Sequence, residues 1–377
     1  MRLGFDIRPF LRRETGVGTY LRNLLFELAR LDRENEYYLF SASWKDRFAA
    51  DKVPAFARGL FRDCRIPVKL LNYFWQRWGG PPLDWFVGAR LDLTHSATPL
   101  VLPTKGKKIV TVHDLFFMDW PSLSGREAGG AFFRRAAGAF RRSDGIVTFS
   151  SFTRDELVTR FDVPPAKVRV IPHGLDLRFL EDVPDADLED FRAARQLPPS
   201  FLLFVGAQEP RKNLPRLLEA LKMVHLHGHS IPLVLAGPPG DDTPAIRATA
   251  ARLGLDRWVS TTGYLSPDDL RKIYRLATAF VFPSLCEGFG LPLVEAMASG
   301  LPVAAALNSA IPEVCGDAAL LFRAEDPESI AEKILEVLES GQVRQELAAK
   351  GRRRALDFRW DKAAAATLEF YQRFAPA

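Results

Sequence analysis

One pattern appears twice along the 377 residues: a short apolar run, a helix-length amphipathic segment, then another short apolar run. In the first half the runs fall at 2–7, 37–41, 91–95, 108–112, 145–149 and 168–173. In the second half they fall at 201–206, 232–237, 258–263, 279–283, 302–306 and 319–322. Runs this brief are too short for helices and are rich in the residues of buried strands. Strands that alternate with helices build parallel sheets wrapped by helices. The pattern restarts after 181–199, which is acidic and then proline-rich and reads as a linker with a helix in it. The expected architecture is therefore two doubly wound α/β halves. Their bounds are 1–178 and 200–359, with 179–199 between them.

The stretch 279–300, AFVFPSLCEGFGLPLVEAMASG, carries the most chemistry. An apolar strand at 279–283 runs into a loop with Gly288 and Gly290, which lets backbone approach a ligand closely. Pro292 stands in the first turn of the helix that follows, and Gly300 stands just past its end. Strand, glycine loop and helix N-terminus form an anion site, because unpaired N–H groups and the helix dipole point into the loop. Glu287 and Glu295 bracket it. Phosphates would repel a carboxylate, so sugar and ribose hydroxyls are its better partners, at roughly 1.5–3 kcal/mol per charge-assisted bond. A second stretch, GAQEPRKN at 206–213, again joins strand to helix and places Arg211 and Lys212 beside the anion site. Such charge suits a departing diphosphate.

EGFGLPLVEAMASGLPV resembles the E-x7-E motif of the retaining glycosyltransferases of family 4, which have the GT-B fold: two Rossmann-like domains facing each other across a cleft. The resemblance implies that the last helix, within 360–377, packs back on the first domain. It implies donor contacts at Gly288, Phe289, Gly290 and Leu291, sugar hydroxyls on Glu287, ribose on Glu295 and diphosphate on Arg211 and Lys212. In the first half it implies that the GVG loop, Gly16 and Gly18, faces the cleft and touches donor phosphate or acceptor. His113, at a strand's C-terminal end in VHDLFF, would support the transferred sugar, and Asp114 would bind the acceptor or help orient the site. His113, Lys212 and Glu287 are the expected catalytic residues. Two positions depart from the pattern: Ala207 stands where the family has Arg, and His173 where it has Asn.

Composition narrows the rest. Three scattered cysteines, Cys64, Cys286 and Cys315, offer neither a disulfide framework nor a zinc site. No metal or other cofactor is expected. Asp185 and Asp187 form an Asp-x-Asp pair, but within a general acidic run, so they read as solvated. No transmembrane run and no signal peptide are expected, which suits a cytoplasmic protein at the inner membrane face. The net charge of +5 permits attraction to anionic lipid. Arg126, Arg134, Arg135, Arg141 and Arg142 mark 126–142 as a membrane-facing helix or a solvated one. The aromatic and basic 72–78 stretch suits an acceptor groove, lipid contact or plain packing. Motif by motif the chain is most similar to bacterial mannosyltransferases of surface polysaccharide assembly. That points to GDP-mannose as donor, with a UDP- or dTDP-sugar as the alternative, and to a glycan or lipid-linked acceptor. A GT-B nucleotide-sugar epimerase and a non-catalytic sugar-nucleotide-binding protein are the alternatives; no nucleic acid partner is expected.

Overall fold

The computed structural model describes residues 1–10, 16–45, 53–116 and 130–376. It divides into two compact units. The first holds the described residues up to Gly174 and from Trp360 onward, and the second holds Leu175–Arg359.

In the first unit seven parallel strands lie in the order β3-β2-β1-β4-β5-β6-β7. They are β1 (Arg2–Asp6), β2 (Glu36–Ala42), β3 (Gly59–Cys64), β4 (Leu93–Ser96), β5 (Lys107–Val112), β6 (Gly145–Thr148) and β7 (Val168–Val170). The central strand β1 is covered on both faces: Leu3 and Phe5 are fully buried on one, and Gly4 and Asp6 are buried on the other. β3 gave no apolar run to read, because it is the sheet's edge and exposes Leu60 and Arg62. The C-terminal helix Trp360–Gln372 packs on the first helix, Gly16–Leu31. A buried polar chain ties the two helices to the sheet. His95 Nδ1 lies 2.5 Å from the Tyr371 hydroxyl, His95 Nε2 lies 2.8 Å from Thr111 Oγ1, and Thr111 meets the Tyr20 hydroxyl at 3.4 Å.

In the second unit six parallel strands lie in the order β10-β9-β8-β11-β12-β13. They are β8 (Leu202–Val205), β9 (Leu233–Ala236), β10 (Val259–Gly263), β11 (Ala279–Phe282), β12 (Val303–Ala306) and β13 (Leu320–Phe322). The chain winds one way from β8 and the other way from β11, so their adjacent C-terminal ends form a topological switch point, where open α/β sheets bind ligands. Two helices that the periodicity left unread, Pro327–Glu339 and Gly341–Ala355, complete this unit. The second crosses Leu291–Ala298 at Gly351, where a Cβ would come within 3.2 Å of Met297 Cα.

The 179–199 stretch read as a linker holds the helix Asp185–Ala194, buries Phe191 and belongs to the second unit. The division falls at Gly174–Leu175 rather than at 178. No helix among the described residues is long and apolar enough to cross a membrane. Of the arginine-rich stretch, Gly130–Arg142 is helical with Arg141 and Arg142 exposed. Arg126 and the side chains of Arg134 and Arg135 lie outside the described residues.

Candidate active site

Two loops leave the switch point of the second sheet side by side. After β8 the chain makes a short 3-10 turn, Pro210–Lys212, before the helix Leu214–Leu226. After β11 it makes the glycine loop and then the helix Leu291–Ala298. Backbone and side-chain hydrogen bonds lock one loop to the other. The Leu285 N–H donates to the Arg211 carbonyl at 2.8 Å. Asn213 Nδ2 donates to the carbonyls of Pro283 and Ala324, at 3.2 and 2.7 Å. Asn213 also adopts φ 58°, a left-handed conformation that asparagine tolerates better than most residues. The motif contained Asn213 without a role; it braces the site.

The brace brings both cations onto one carboxylate. Lys212 Nζ lies 2.5 Å from Glu287 Oε1, and an Arg211 guanidinium nitrogen lies 3.1 Å from Glu287 Oε2. Arg211 Nε also donates to Glu209, at 2.9 Å. Side-chain exposure is 8% for Lys212 and 9% for Glu287, so this pair is shielded from solvent screening. Burial alone would raise the Glu287 pKa, but the charges of Lys212 and Arg211 and the hydrogen bond from Lys212 hold it down at about 2. Burial pulls the Lys212 pKa below its usual value, against the attraction of Glu287. Sequence reasoning gave the cations to phosphate and the carboxylate to sugar. The folded chain joins them in one cluster.

Glu287 is held from behind as well. Its N–H donates to Ser309 Oγ at 3.0 Å, and its carbonyl accepts from the Ala310 N–H at 3.2 Å. Ser309 sits at φ 50°, a strained conformation for serine, in the loop after β12. No motif marked it. At the helix start Gly290 has φ 95°, where a side chain would be strained and a Cβ would press to 2.9 Å from Leu293. Leu291 opens the helix there, Gly288 lies in the same buried loop, and Phe289 packs edge-on against Phe358, ring centroids 5.3 Å apart.

Glu295 lies one turn into that helix, half-buried, and no ion pair joins it to a cation among the described residues. The Tyr274 hydroxyl donates to it at 3.0 Å. Burial raises its pKa to about 7, the Tyr274 hydrogen bond opposing and the Asp176 charge reinforcing the rise. Tyr274 comes from the helix Pro267–Leu276, and only the fold reveals it as a partner.

The other expected residues stand in the first unit. His113 follows β5, and its Nε2–H donates to the Ala97 carbonyl at 2.9 Å. Burial lowers its pKa, so it is the neutral Nε2–H tautomer at pH 7. Its ring meets Tyr20 and Phe149 edge-on, at 5.6 and 4.9 Å between centroids. His173, the residue standing in for Asn, stacks on Phe149 at 3.7 Å, and burial keeps its pKa well below the usual value. Asp114 Oδ1 accepts the Phe116 N–H at 3.3 Å and closes a local turn. Gly16 opens the first helix in open space, and Gly18 is buried inside it. The residues just before Gly16 lie outside the described ones. Asp185 and Asp187 are exposed on their helix, and among the described residues no group of three His, Cys, Asp or Glu is placed to hold a metal ion.

Residues 15–179 match the glycosyltransferase family 4 model, and residues 185–354 match the model of glycosyl transferases group 1. The chain is 27% identical over 382 aligned residues to the O-antigen chain mannosyltransferase B of Escherichia coli, covering 99% of this chain and 100% of the relative. Among solved structures, the sucrose-phosphate synthase of Thermosynechococcus elongatus superposes with a TM-score of 0.75 at 20% identity, over 99% and 98% of the two chains. Anabaena Alr3699/HepE in complex with UDP and glucose gives 0.73 at 17% identity, over 99% and 100%. Both likenesses support the fold. With a family 4 match on one Rossmann-like unit and a group 1 match on the other, the chain belongs to the family 4 glycosyltransferases of GT-B fold.

Proposed function

We propose that this glycosyltransferase is a retaining hexosyltransferase that moves a mannosyl group from GDP-mannose to a glycan or lipid-linked acceptor in cell-surface polysaccharide assembly. The observation that carries the reading is the buried Lys212–Glu287–Arg211 cluster in the loops at the switch point. The two cations, oriented by Glu287 and Glu209, and the N-terminus of the neighbouring helix offer the donors that a departing diphosphate needs. The O-antigen relative, a mannosyltransferase by name, supports the choice of sugar. The Anabaena protein, crystallised with UDP and glucose, supports a nucleotide-sugar donor.

In the reaction the bond between the anomeric carbon and the diphosphate oxygen breaks, and its electron pair leaves with GDP. The acceptor oxygen bonds to the anomeric carbon on the same face, and its proton passes to a diphosphate oxygen. No protein nucleophile is required. Arg211 and Lys212 take up the charge of the leaving group, and Arg211 supplies the cation that Ala207 does not. Glu287 accepts hydrogen bonds from sugar hydroxyls, beside the backbone N–H groups of Phe289 and Gly290. Glu295, once ionised, accepts from the ribose. His113, being neutral, enters as a hydrogen-bonding group rather than a proton donor. The charge stabilisation is assigned to these residues and not to a metal, so a chelator is expected to leave turnover unchanged. We place the enzyme in the cytoplasm, at the inner face of the membrane that would carry its acceptor.

Thermal unfolding against GDP-, UDP-, dTDP- and ADP-sugars tests the donor. A ligand at a hundred times its dissociation constant adds about 2.7 kcal/mol, which raises the melting point by several degrees. A rise with GDP-mannose alone supports the reading. A rise with another base alone overturns the donor assignment. Conversion of the sugar nucleotide to an epimer without acceptor would replace transfer with epimerisation.

A further inference from the structure

Strand β5 carries Thr111, and His113 follows just past its end, two positions on and so on the same face of the sheet. The first helix sets one buried side chain, Tyr20, against both. The Tyr20 hydroxyl lies 3.4 Å from Thr111 Oγ1, and its ring stands at 90° to the His113 imidazole, 5.6 Å between centroids. The same ring meets Phe149 at 4.9 Å and, at 88°, His173 at 5.3 Å. Phe149 in turn packs on both imidazoles. Tyr20 therefore touches the two histidines and the phenyl ring that they share.

His113 makes one hydrogen bond among the described residues, from Nε2–H to the Ala97 carbonyl. A single bond pins one atom of the imidazole and leaves the ring free to turn about it. With Nε2 committed, Nδ1 is the ring atom that can meet a substrate hydroxyl, and the plane of the ring decides where its lone pair points. That plane is set by the aromatic neighbours, since edge-to-face pairs hold a preferred geometry beyond their burial. Tyr20 is itself fixed. Burial raises the pKa of its phenol, so it stays a neutral hydroxyl against Thr111. Thr111 also meets His95 Nε2 at 2.8 Å, and His95 Nδ1 meets the Tyr371 hydroxyl of the C-terminal helix. One strand thus holds both ends of the contact: Tyr20 through Thr111, and His113 through the backbone. Tyr20 is 3% exposed, so it reaches no ligand itself, whereas His113 is only half-buried.

We propose that Tyr20 is the positioning residue for His113: its ring sets the plane of the imidazole, and its hydroxyl keys that ring to the strand that carries the histidine. This deepens the proposed function and rests on that reading for the part His113 plays in transfer. The arrangement of the rings does not depend on the donor.

The test uses the full chain. Tyr20→Leu removes the ring and Tyr20→Phe only the hydroxyl; Tyr20→Met, long and apolar without a ring, replaces the first if that chain does not fold. Turnover is read as nucleotide release, with water as acceptor, from the sugar nucleotide that raises the melting point. Tyr20→Leu is expected to lower kcat by roughly tenfold or more, with the donor KM within about twofold of the parent. Tyr20→Phe should recover most of that loss. Made on top of His113→Ala, Tyr20→Leu should cost nothing further, because a residue that acts through another is silent without it. An equal loss in both backgrounds overturns the proposal, since a general packing defect would produce it. The second readout needs no donor: side-chain nitrogen NMR at pH 7, with the His113 signals identified by their loss in His113→Ala. The parent should show the Nε2–H tautomer alone, and Tyr20→Leu should shift or mix it. Unchanged His113 signals overturn the proposal. Parental turnover in His113→Ala would overturn the role of His113 in the reaction, and altered signals in Tyr20→Leu would then leave the positioning standing.

Discussion

Glu287 and Glu295 stand eight positions apart on one loop-and-helix element, both withdrawn from water, and their titrations move in opposite directions. Desolvation acts on both and favours the neutral acid. Around Glu287 it is overcome by two cations held within 3.1 Å, and the carboxyl titrates near 2. Around Glu295 it is met by a single tyrosine hydroxyl, and the carboxyl titrates near 7. Burial by itself therefore says nothing about charge; the partners decide. One glutamate is a permanent anion that orients cations, and the other is poised to change charge at neutral pH. His113 and His173 in the first unit extend the contrast. His113 is half-buried and His173 buried among aromatic rings, and desolvation leaves them neutral.

The largest effect should come from removing a cation of the pair. Lys212→Ala is expected to lower kcat by roughly 10²–10³-fold, as for other lost transition-state charge contacts. It should also cost about 3 kcal/mol of stability, because Glu287 keeps only Arg211. Turnover of a sugar nucleotide and urea unfolding read the two effects separately. Intact turnover would remove Lys212 from the diphosphate.

Acid should discriminate the first glutamate next. Its folded pKa lies below the unfolded one, so its contribution is present above about pH 4.5 and is lost as pH falls toward 2. A shift of this size is worth up to about 3 kcal/mol. Unfolding free energies of Glu287→Gln between pH 3 and 5 should be flatter than those of the parent. Identical slopes would mean that the ion pairs do not control its titration.

Glu295 should show the opposite sign. Its folded pKa is raised above the unfolded one, so its contribution to stability is fully present below about pH 4.5 and is lost as pH rises through about 7. Ribose binding to the carboxylate form should tighten the donor by roughly tenfold between pH 6 and 8. Calorimetric titration of Glu295→Gln should show that pH dependence gone. A slope that persists would point to another group.

The smallest effect tests the support behind Glu287. Ser309→Ala leaves the Glu287 N–H without its hydroxyl acceptor and keeps the strained φ, so a loss of about 1 kcal/mol is expected. Ser309→Gly loses the same bond but relieves the left-handed strain, by about 1 kcal/mol, and should fall close to the parent in urea unfolding. Equal losses in the two variants would show that strain at Ser309 is negligible.

The sequence alone determined the alternation of strands and helices, because a buried parallel strand and an amphipathic helix are local patterns of a few residues. It placed the glycine loop, Pro292 and both glutamates on one strand-loop-helix element for the same reason. It did not reveal β3, whose edge position removes the apolar signal, or the helices Pro327–Glu339 and Gly341–Ala355. Only the tertiary structure decided that Lys212 and Glu287, 75 residues apart, share one buried bond, and that Tyr274 and Ser309 serve the two halves of the motif. Those pairings depend on which strands become neighbours. Strand order follows from packing across the whole sheet, which no local spacing records.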